Sequence, residues 1–287
     1  MDDFYLKQTP YSDPGSLDVS GLPRDPGELA HVVRDVIIHQ GEGQRLGYAI
    51  PAQRLHEDAE SRYVTDILRI LRERGDTPLT DAREPEGRFV GTCRDFALLH
   101  VSLLRATGTP ARVRGGFGTY FVDGFHEDHW ITEYRLPDGS WRLMDPQVLH
   151  PSYDHLDFDP LDVPRDRFLV AGEAWRACRA GEADPRAFGF WSDEALRGMW
   201  FVRGSLVLDL ACRGGVETLP WDGWEPLAGF GDASLSAADL ALLDAAAAAH
   251  TDEDVRRLGA EPRLAPPREI LSRSPSFGLR KVTLARR

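Results

Sequence analysis

The chain has 287 residues, of which 42% are hydrophobic and 28% are charged, and its net charge at pH 7 is −12. These values are typical of a globular protein with a substantial core, and the negative charge argues against nucleic acid or an anionic membrane as the main partner. No apolar stretch has the length of a membrane span, and the acidic N-terminus does not resemble a signal peptide. Three cysteines are too few for a disulfide framework, so we expect a protein of the reducing cytoplasm.

The first part of the chain combines a coil with two helices. Residues 1–24 are rich in Pro, Gly, Ser and Asp, which predicts an N-terminal arm. An amphipathic helix follows, with Asp25 as its cap and Ile37 on its apolar face. A second amphipathic helix covers residues 58–74, and the polar segment 76–90, with two prolines, indicates a loop.

A third helix begins at Cys93 in the segment GTCRDFALLHVSLLRATG and stops at Gly108. The hydrophobic period then changes to two, which predicts strands in ARVRGGFGTYFV, HWITEYRL and SWRLM. The tight-turn residues around Asp138 predict that the last two strands form a hairpin. A helix followed by an antiparallel sheet is an α+β pattern.

The C-terminal part has weaker signals. The segment RDRFLVAGEAWRACRAG reads as a helix, and MWFVRGSLVLDLAC reads as one or two buried strands. The segment SLSAADLALLDAAAAAH predicts a helix capped by Ser236. We therefore divide the chain into the arm, a core over residues 25–164, and an elaboration over residues 165–287 that packs on the core.

Cys93 lies where a helix begins, and two interpretations are open. A buried cysteine is commonly a small apolar residue of the core. At a helix N-terminus, however, unpaired N–H groups and the macrodipole stabilise a thiolate, which is the nucleophilic form. A nucleophilic thiol also needs a base, and the base needs an acceptor that orients it.

The predicted hairpin supplies both groups. His129 begins one strand and Asp145 ends its partner, and Asp138 lies about midway between them. Pairing through the turn therefore places an imidazole beside a carboxylate. This is the logic of a catalytic triad, in the chain order Cys, His, Asp.

Three sequence blocks, GTCRDFALLHVSLLRATGTPARVRGG, HWITEY and WRLMDPQ, resemble the transglutaminase-like superfamily of papain-type cysteine enzymes. The resemblance covers residues 85–150 and implies a papain-like α+β core with the Cys-bearing helix on an antiparallel sheet. It implies that Cys93 is the nucleophile, His129 the general base and acid, and Asp145 the orienting group. The family reaction is acyl transfer from an amide through a Cys thioester, to an amine or to water.

Other residues could contribute to this site. Trp130, Arg94 and His126 are candidates for substrate binding, although a solvated surface position is the simpler interpretation of Arg94. We expect His126 in the loop before the strand. Papain-type sites use a side-chain donor in the oxyanion hole, for which Gln53 is the candidate.

We therefore expect a cysteine-dependent acyltransferase or amide hydrolase that needs no metal and no organic cofactor. Its partner would be a peptide, protein or small-molecule amide or thioester, with an amine as a further acceptor. The alternatives are a cysteine peptidase or amidase that uses water, and a catalytically idle peptide-binding module. A zinc site at Cys93, His126 and His129 is a weaker alternative, because no second Cys-x-x-Cys closes it.

Overall fold

The computed structural model describes residues 3–285 of the chain. These residues form two compact units. The first comprises residues 3–113 and 131–163, and the second comprises residues 114–130 and 164–285. The division of the chain at residues 24 and 164 stays a prediction.

The helices and short strands of the first unit are α1 (Pro26–Val36), β1 (Ile37–His39), α2 (Ala52–Glu57), α3 (Val64–Arg74), β2 (Phe89–Gly91) and α4 (Cys93–Thr107). The Asp25 carboxylate accepts the backbone N–H of Glu28, which confirms the predicted start of α1. The prediction that Ile37 continues this helix is wrong. Ile37 and Ile38 leave α1 because they pair in parallel with the buried strand β2, beginning with Phe89.

The helix α4 lies in the core of the first unit. Every residue from Cys93 to Arg105 is buried, and not only the predicted apolar face. The helix packs against α1 and α3, which explains why several sides are covered. Gly108 ends it in the left-handed conformation with φ +99°, as the sequence predicts.

Three predicted strands are present as β3 (Ala111–Gly118), β4 (His126–Arg135) and β5 (Trp141–Met144). β4 and β5 form the expected antiparallel hairpin, in which Thr132 pairs with Met144 and Arg135 pairs with Trp141. This register is centred on Asp138, as predicted. Both β3 and β4 begin in one unit and end in the other.

The second unit continues with β6 (Phe168–Val170), α5 (Ala171–Ala180), β7 (Phe188–Gly189), α6 (Met199–Arg213), β8 (Asp222–Gly223), α7 (Ala237–Ala247), α8 (Asp252–Gly259), β9 (Glu269–Ser274) and β10 (Gly278–Thr283). The main sheet has the strand order β5-β4-β3-β6, and β7 joins the start of β4 in parallel. A smaller sheet has the order β10-β9-β8. The Ser236 side chain caps α7 by accepting the N–H of Asp239, as predicted.

The prediction of strands within residues 199–212 is wrong, because this segment forms the helix α6. Its apolar residues are nearly continuous, so their spacing does not distinguish a buried strand from a buried helix. The polar members of α6 are paired inside the unit. Asp209 accepts the Arg114 guanidinium at 2.9 and 3.1 Å, and Arg203 donates to the carbonyl of Gly229 at 2.9 Å.

The architecture confirms the predicted α+β class, with helices and an antiparallel sheet that form a papain-like core. In the part of the chain that the structure describes, no helix combines the length and apolar character needed to cross a membrane.

Candidate active site

Cys93 is the first residue of α4 and follows β2 after a single intervening residue, Thr92. The Asp95 carboxylate accepts the Thr92 backbone N–H at 2.8 Å and its hydroxyl at 3.1 Å, which caps the start of the helix. Gly91 makes this arrangement possible. A Cβ at Gly91 would lie 3.0 Å from both Cβ and Oδ2 of Asp95, so a larger residue would displace the cap.

The three cysteines of the chain differ in their surroundings. Cys93 is 7% exposed and lies among the backbone N–H groups of a helix N-terminus, which favour a thiolate. Burial, with a smaller contribution from Asp184, raises the pKa of Cys178 to about 11. Cys212 is fully buried in α6. Cys93 is therefore the cysteine whose position suits a nucleophile.

Arg94 is not a solvated surface residue, so that interpretation is wrong. Its side chain is completely buried, and the guanidinium donates to Asp95 Oδ1 at 2.9 Å and to the carbonyls of Ser61 and Arg62 at 3.1 and 2.6 Å. Burial raises the pKa of Asp95, and the Arg94 charge opposes this shift. Because Arg94 is committed to these partners, it holds the start of α4 to the segment before α3 and does not present a charge to a substrate.

The first half of α4 is joined to β4 through Thr132. The Thr132 hydroxyl lies 3.1 Å from Nδ1 of His100 and 3.4 Å from the carbonyl oxygen of Ala97. The other ring nitrogen of His100 lies 3.0 Å from the carbonyl oxygen of Pro26, and burial lowers the pKa of His100 to about 4. His100 is therefore a neutral structural residue. Ala97 lies one helical turn after Cys93.

Asp145 is fully buried at the end of β5. Its Oδ1 accepts the Gln147 N–H at 3.0 Å, and its own N–H donates to the carbonyl of Pro160 at 2.9 Å. The short 3-10 turn Pro146–Val148 that follows packs against α4 and α1. Asp145 is thus held by backbone contacts in the same unit as Cys93.

His129 lies on β4 in the second unit and is 2% exposed. Three aromatic rings surround its imidazole. Their centroids lie at 4.7 Å for Phe121, 5.8 Å for Tyr120 and 6.3 Å for Phe168, each nearly perpendicular to it. Burial raises the pKa of Glu127. The hydrogen bond from the Trp191 backbone N–H and the nearby His129 imidazole oppose this shift.

Trp130 and His126 flank His129 on the same strand. Trp130 is buried, packs over the space left by Gly115, and forms a hydrogen bond to the Asp128 carboxyl. The expectation that His126 lies in the loop is wrong, because it is the first residue of β4 and its ring stacks on Phe188 at 4.2 Å. Both side chains have structural partners within the second unit.

Gln53, the candidate oxyanion donor, lies on the exposed helix α2. Its amide donates to both carboxylate oxygens of Glu57 at 3.2 Å. The structure therefore gives Gln53 a surface contact within its own helix and does not place it among the buried groups around Cys93.

Two cavities of about 400 and 420 Å³ open in the first unit. One is lined mainly by residues of the segments 14–22 and 68–83, and the other mainly by residues 148–160. Neither lining includes Cys93 or Asp145. Within residues 3–285, no group of three or more His, Cys, Asp or Glu side chains could hold a metal ion.

Tyr120 and Phe121 lie against His129 and were not predicted from the sequence as site residues. They occupy the connection between β3 and β4. The sequence signal was a pair of adjacent aromatic residues in the short loop between Gly118 and Gly124. Loops lie at the surface and often carry functional residues, so two aromatic residues in a loop close to a candidate base indicate a role in the site.

Comparison with known families bears directly on this site. Residues 51–146 match the model of the transglutaminase-like superfamily. The match includes Cys93, His129 and Asp145, and it confirms the resemblance found in the sequence. Members of this superfamily are in general cysteine-dependent enzymes. The match therefore supports the expectation of a cysteine enzyme, without specifying its reaction.

A crystal structure from Cytophaga hutchinsonii, provisionally described as a cysteine protease, is similar to this chain at 18% sequence identity and a TM-score of 0.24. The similarity covers 58% of this chain and 44% of that chain, which is less than half of its length. No curated protein matches this chain.

Proposed function

We propose that this protein is a cysteine-dependent acyl-transfer enzyme in which Cys93, His129 and Asp145 act as nucleophile, base and orienting group. The position of Cys93 as the first residue of α4 supports this proposal most directly, because the unpaired N–H groups of a helix N-terminus stabilise a thiolate.

The hairpin register supports the role of Asp145. Thr132 pairs with Met144, so the next step of the same register faces Ile131 with Asp145. His129 lies two residues before Ile131 on the same strand, and this spacing supports the proposal that its imidazole meets the Asp145 carboxylate. Asp145 is a buried carboxylate. In the proposed site it accepts a hydrogen bond from the imidazole, orients the ring and stabilises its protonated form.

The proposed reaction has two halves. The Cys93 thiolate attacks the carbonyl carbon of an amide, and the new C–S bond forms as protonated His129 gives its proton to the leaving nitrogen and the C–N bond breaks. An amine or water then attacks the thioester, gives its proton to His129, and releases Cys93 as the C–S bond breaks. In this proposal the Cys93 backbone N–H, at the helix N-terminus, stabilises the oxyanion.

The family reaction, acyl transfer from an amide, suggests a peptide or protein amide as the substrate class. Whether an amine or water accepts the acyl group is decided by incubating the enzyme with a glutamine- and asparagine-containing peptide library and a fluorescent primary amine. Amine incorporation would identify a transferase, and cleavage or deamidation alone would identify a hydrolase.

Alkylation with iodoacetamide at about pH 6.5 tests the proposal, because few ordinary thiols are ionised there. We expect Cys93 to be modified at least about tenfold faster than N-acetylcysteine, and Cys178 and Cys212 to stay unmodified. In the His129→Ala variant Cys93 should react no faster than N-acetylcysteine. His250 is an exposed histidine, and the His250→Ala variant should keep the fast reaction of Cys93. A Cys93 that reacts no faster than N-acetylcysteine would overturn the proposal and favour an idle binding module.

A further inference from the structure

Two aromatic side chains in the loop between β3 and β4 contact the imidazole of His129. The ring of Phe121 lies 4.7 Å from the imidazole centroid, the ring of Tyr120 lies 5.8 Å from it, and the two rings lie 4.5 Å from each other. Both side chains are partly exposed, whereas His129 is 2% exposed. A molecule that approaches His129 along this loop therefore meets aromatic surface first.

The backbone on either side of the two rings holds them in place. The N–H and hydroxyl of Thr119 lie 3.0 and 3.2 Å from the carbonyl oxygen of Arg167. Gly118 leaves room for the rings, because a Cβ there would lie 3.1 Å from the Phe121 ring and 3.2 Å from the Tyr120 ring. Gly124 turns the chain back toward β4 with φ +69°. The aromatic pair is thus positioned before any ligand binds.

A third ring also lies against the imidazole. Phe168 of β6 is fully buried and lies 6.3 Å from the His129 centroid. This ring belongs to the core of the second unit and offers no surface to a ligand. A buried ring is sufficient to cover the imidazole, as Phe168 shows. Covering His129 therefore does not explain why Tyr120 and Phe121 are partly exposed.

The position of this pair beside the base determines which part of a substrate it would touch. In the proposed reaction His129 gives a proton to the leaving nitrogen and later takes one from the acceptor. The group attached to that nitrogen must therefore lie next to His129. An aromatic surface there gains free energy by burying apolar area and by ring-to-ring contact.

We propose that Tyr120 and Phe121 form an apolar subsite for the nitrogen side of the substrate, which selects amides and amines that carry an aromatic or bulky aliphatic group. This inference rests on the proposed function, because it assigns the subsite by its contact with His129. The leaving amine and the acceptor amine use the same subsite in turn.

The test compares two reagents with the same reactive group, iodoacetamide and N-benzyl-iodoacetamide. The alkylation rate of Cys93 is measured by mass spectrometry for each, and the ratio of the two rates is divided by the same ratio for N-acetylcysteine. We expect a corrected ratio of about ten, which corresponds to about 1.4 kcal/mol. Burial of roughly 50 Å² of the benzyl group would be sufficient at the usual coefficient.

Variants assign the effect to the two rings. Phe121→Ala and Tyr120→Ala should each lower the corrected ratio at least about threefold, Phe121→Leu should lower it less, and Tyr120→Phe should keep it because the ring remains. Phe277→Ala is the matched control, since Phe277 is 52% exposed in the turn between β9 and β10. It should leave the ratio unchanged.

The two reagents separate failure of this inference from failure of the proposed function. Slow reaction of Cys93 with iodoacetamide itself would overturn the proposed function. Fast reaction with iodoacetamide, combined with a corrected ratio near one in the wild type, would overturn the subsite alone. A high ratio that Phe121→Leu and both alanine variants leave unchanged would also overturn it. If an alanine variant does not fold, the wild-type ratio and Phe121→Leu decide.

Discussion

The buried ion pair of Arg94 and Asp95 gives a prediction that separates a structural role from a substrate-binding role. Replacing Arg94 with Met keeps much of the apolar stem and removes the guanidinium. The carboxylate of Asp95 then stays buried without its cation, and the carbonyls of Ser61 and Arg62 lose their donor. We expect a folded protein of much lower stability, with Cys93 still at the start of α4.

The size of the effect follows from the burial of both partners. Each side chain is 0% exposed and the N–O distance is 2.9 Å. Removing one partner of such a pair costs about 3–5 kcal/mol. The loss should be largest at high pH. Burial already raises the pKa of Asp95, and removal of Arg94 raises it further, so the folded variant binds a proton that the unfolded chain releases.

Urea unfolding followed by circular dichroism, at about pH 5.5 and about pH 8, measures the free energy of unfolding. Arg69→Met is the matched control, because Arg69 pairs with Glu73 at the same 2.9 Å while the two side chains are 52% and 60% exposed. Its cost should be about 0.5 kcal/mol or less. The double variant Arg94→Met with Asp95→Asn should recover part of the loss. If Arg94→Met costs no more than Arg69→Met, the argument from burial is wrong.

Three further predictions concern the second unit. Burial raises the pKa of Asp128 to about 8, so between about pH 4 and pH 8 the folded chain holds a proton that the unfolded chain releases. The contribution of Asp128 to the free energy of unfolding therefore falls by about 1.4 kcal/mol per pH unit over this range. Asp128→Asn should remove this slope in urea titrations, and identical slopes would contradict the prediction. Gly116→Ala should cost about 1–3 kcal/mol, because its Cβ would lie 2.3 Å from the Leu169 carbonyl oxygen, whereas Gly204→Ala in α6, with open space around it, should gain about 1 kcal/mol in the same assay. A stable Gly116→Ala variant would refute the clash. Ser236→Ala should cost about 1 kcal/mol by loss of the α7 cap, and an unchanged melting temperature would count against that role.

Local sequence signals predicted the elements that depend on neighbouring residues. Asp25 and Ser236 are caps because a short polar side chain reaches the N–H groups two or three residues ahead. The hairpin around Asp138 followed from turn residues between alternating strands, and its register agrees with the prediction. These features need no information from distant parts of the chain.

The elements that failed depend on distant partners. Ile37 satisfies a helical pattern, but pairing with β2 draws it into a strand. The residues of α6 are apolar on most sides, so their spacing carries no period that selects helix over strand. Arg94 looks like a surface residue by type, and only the approach of Ser61 and Arg62, more than thirty residues earlier, explains why it is buried.

The sequence by itself determined the α+β class, the helix that begins at Cys93, the hairpin that carries His129 and Asp145, and the transglutaminase-like resemblance. Each depends on local periodicity, capping, turn chemistry or motif order, all of which are written along the chain. Only the tertiary structure decided that Arg94 is structural and that Tyr120 and Phe121 contact His129. Burial and ring contacts depend on which segments meet in space, and the spacing of residues along the chain does not specify that.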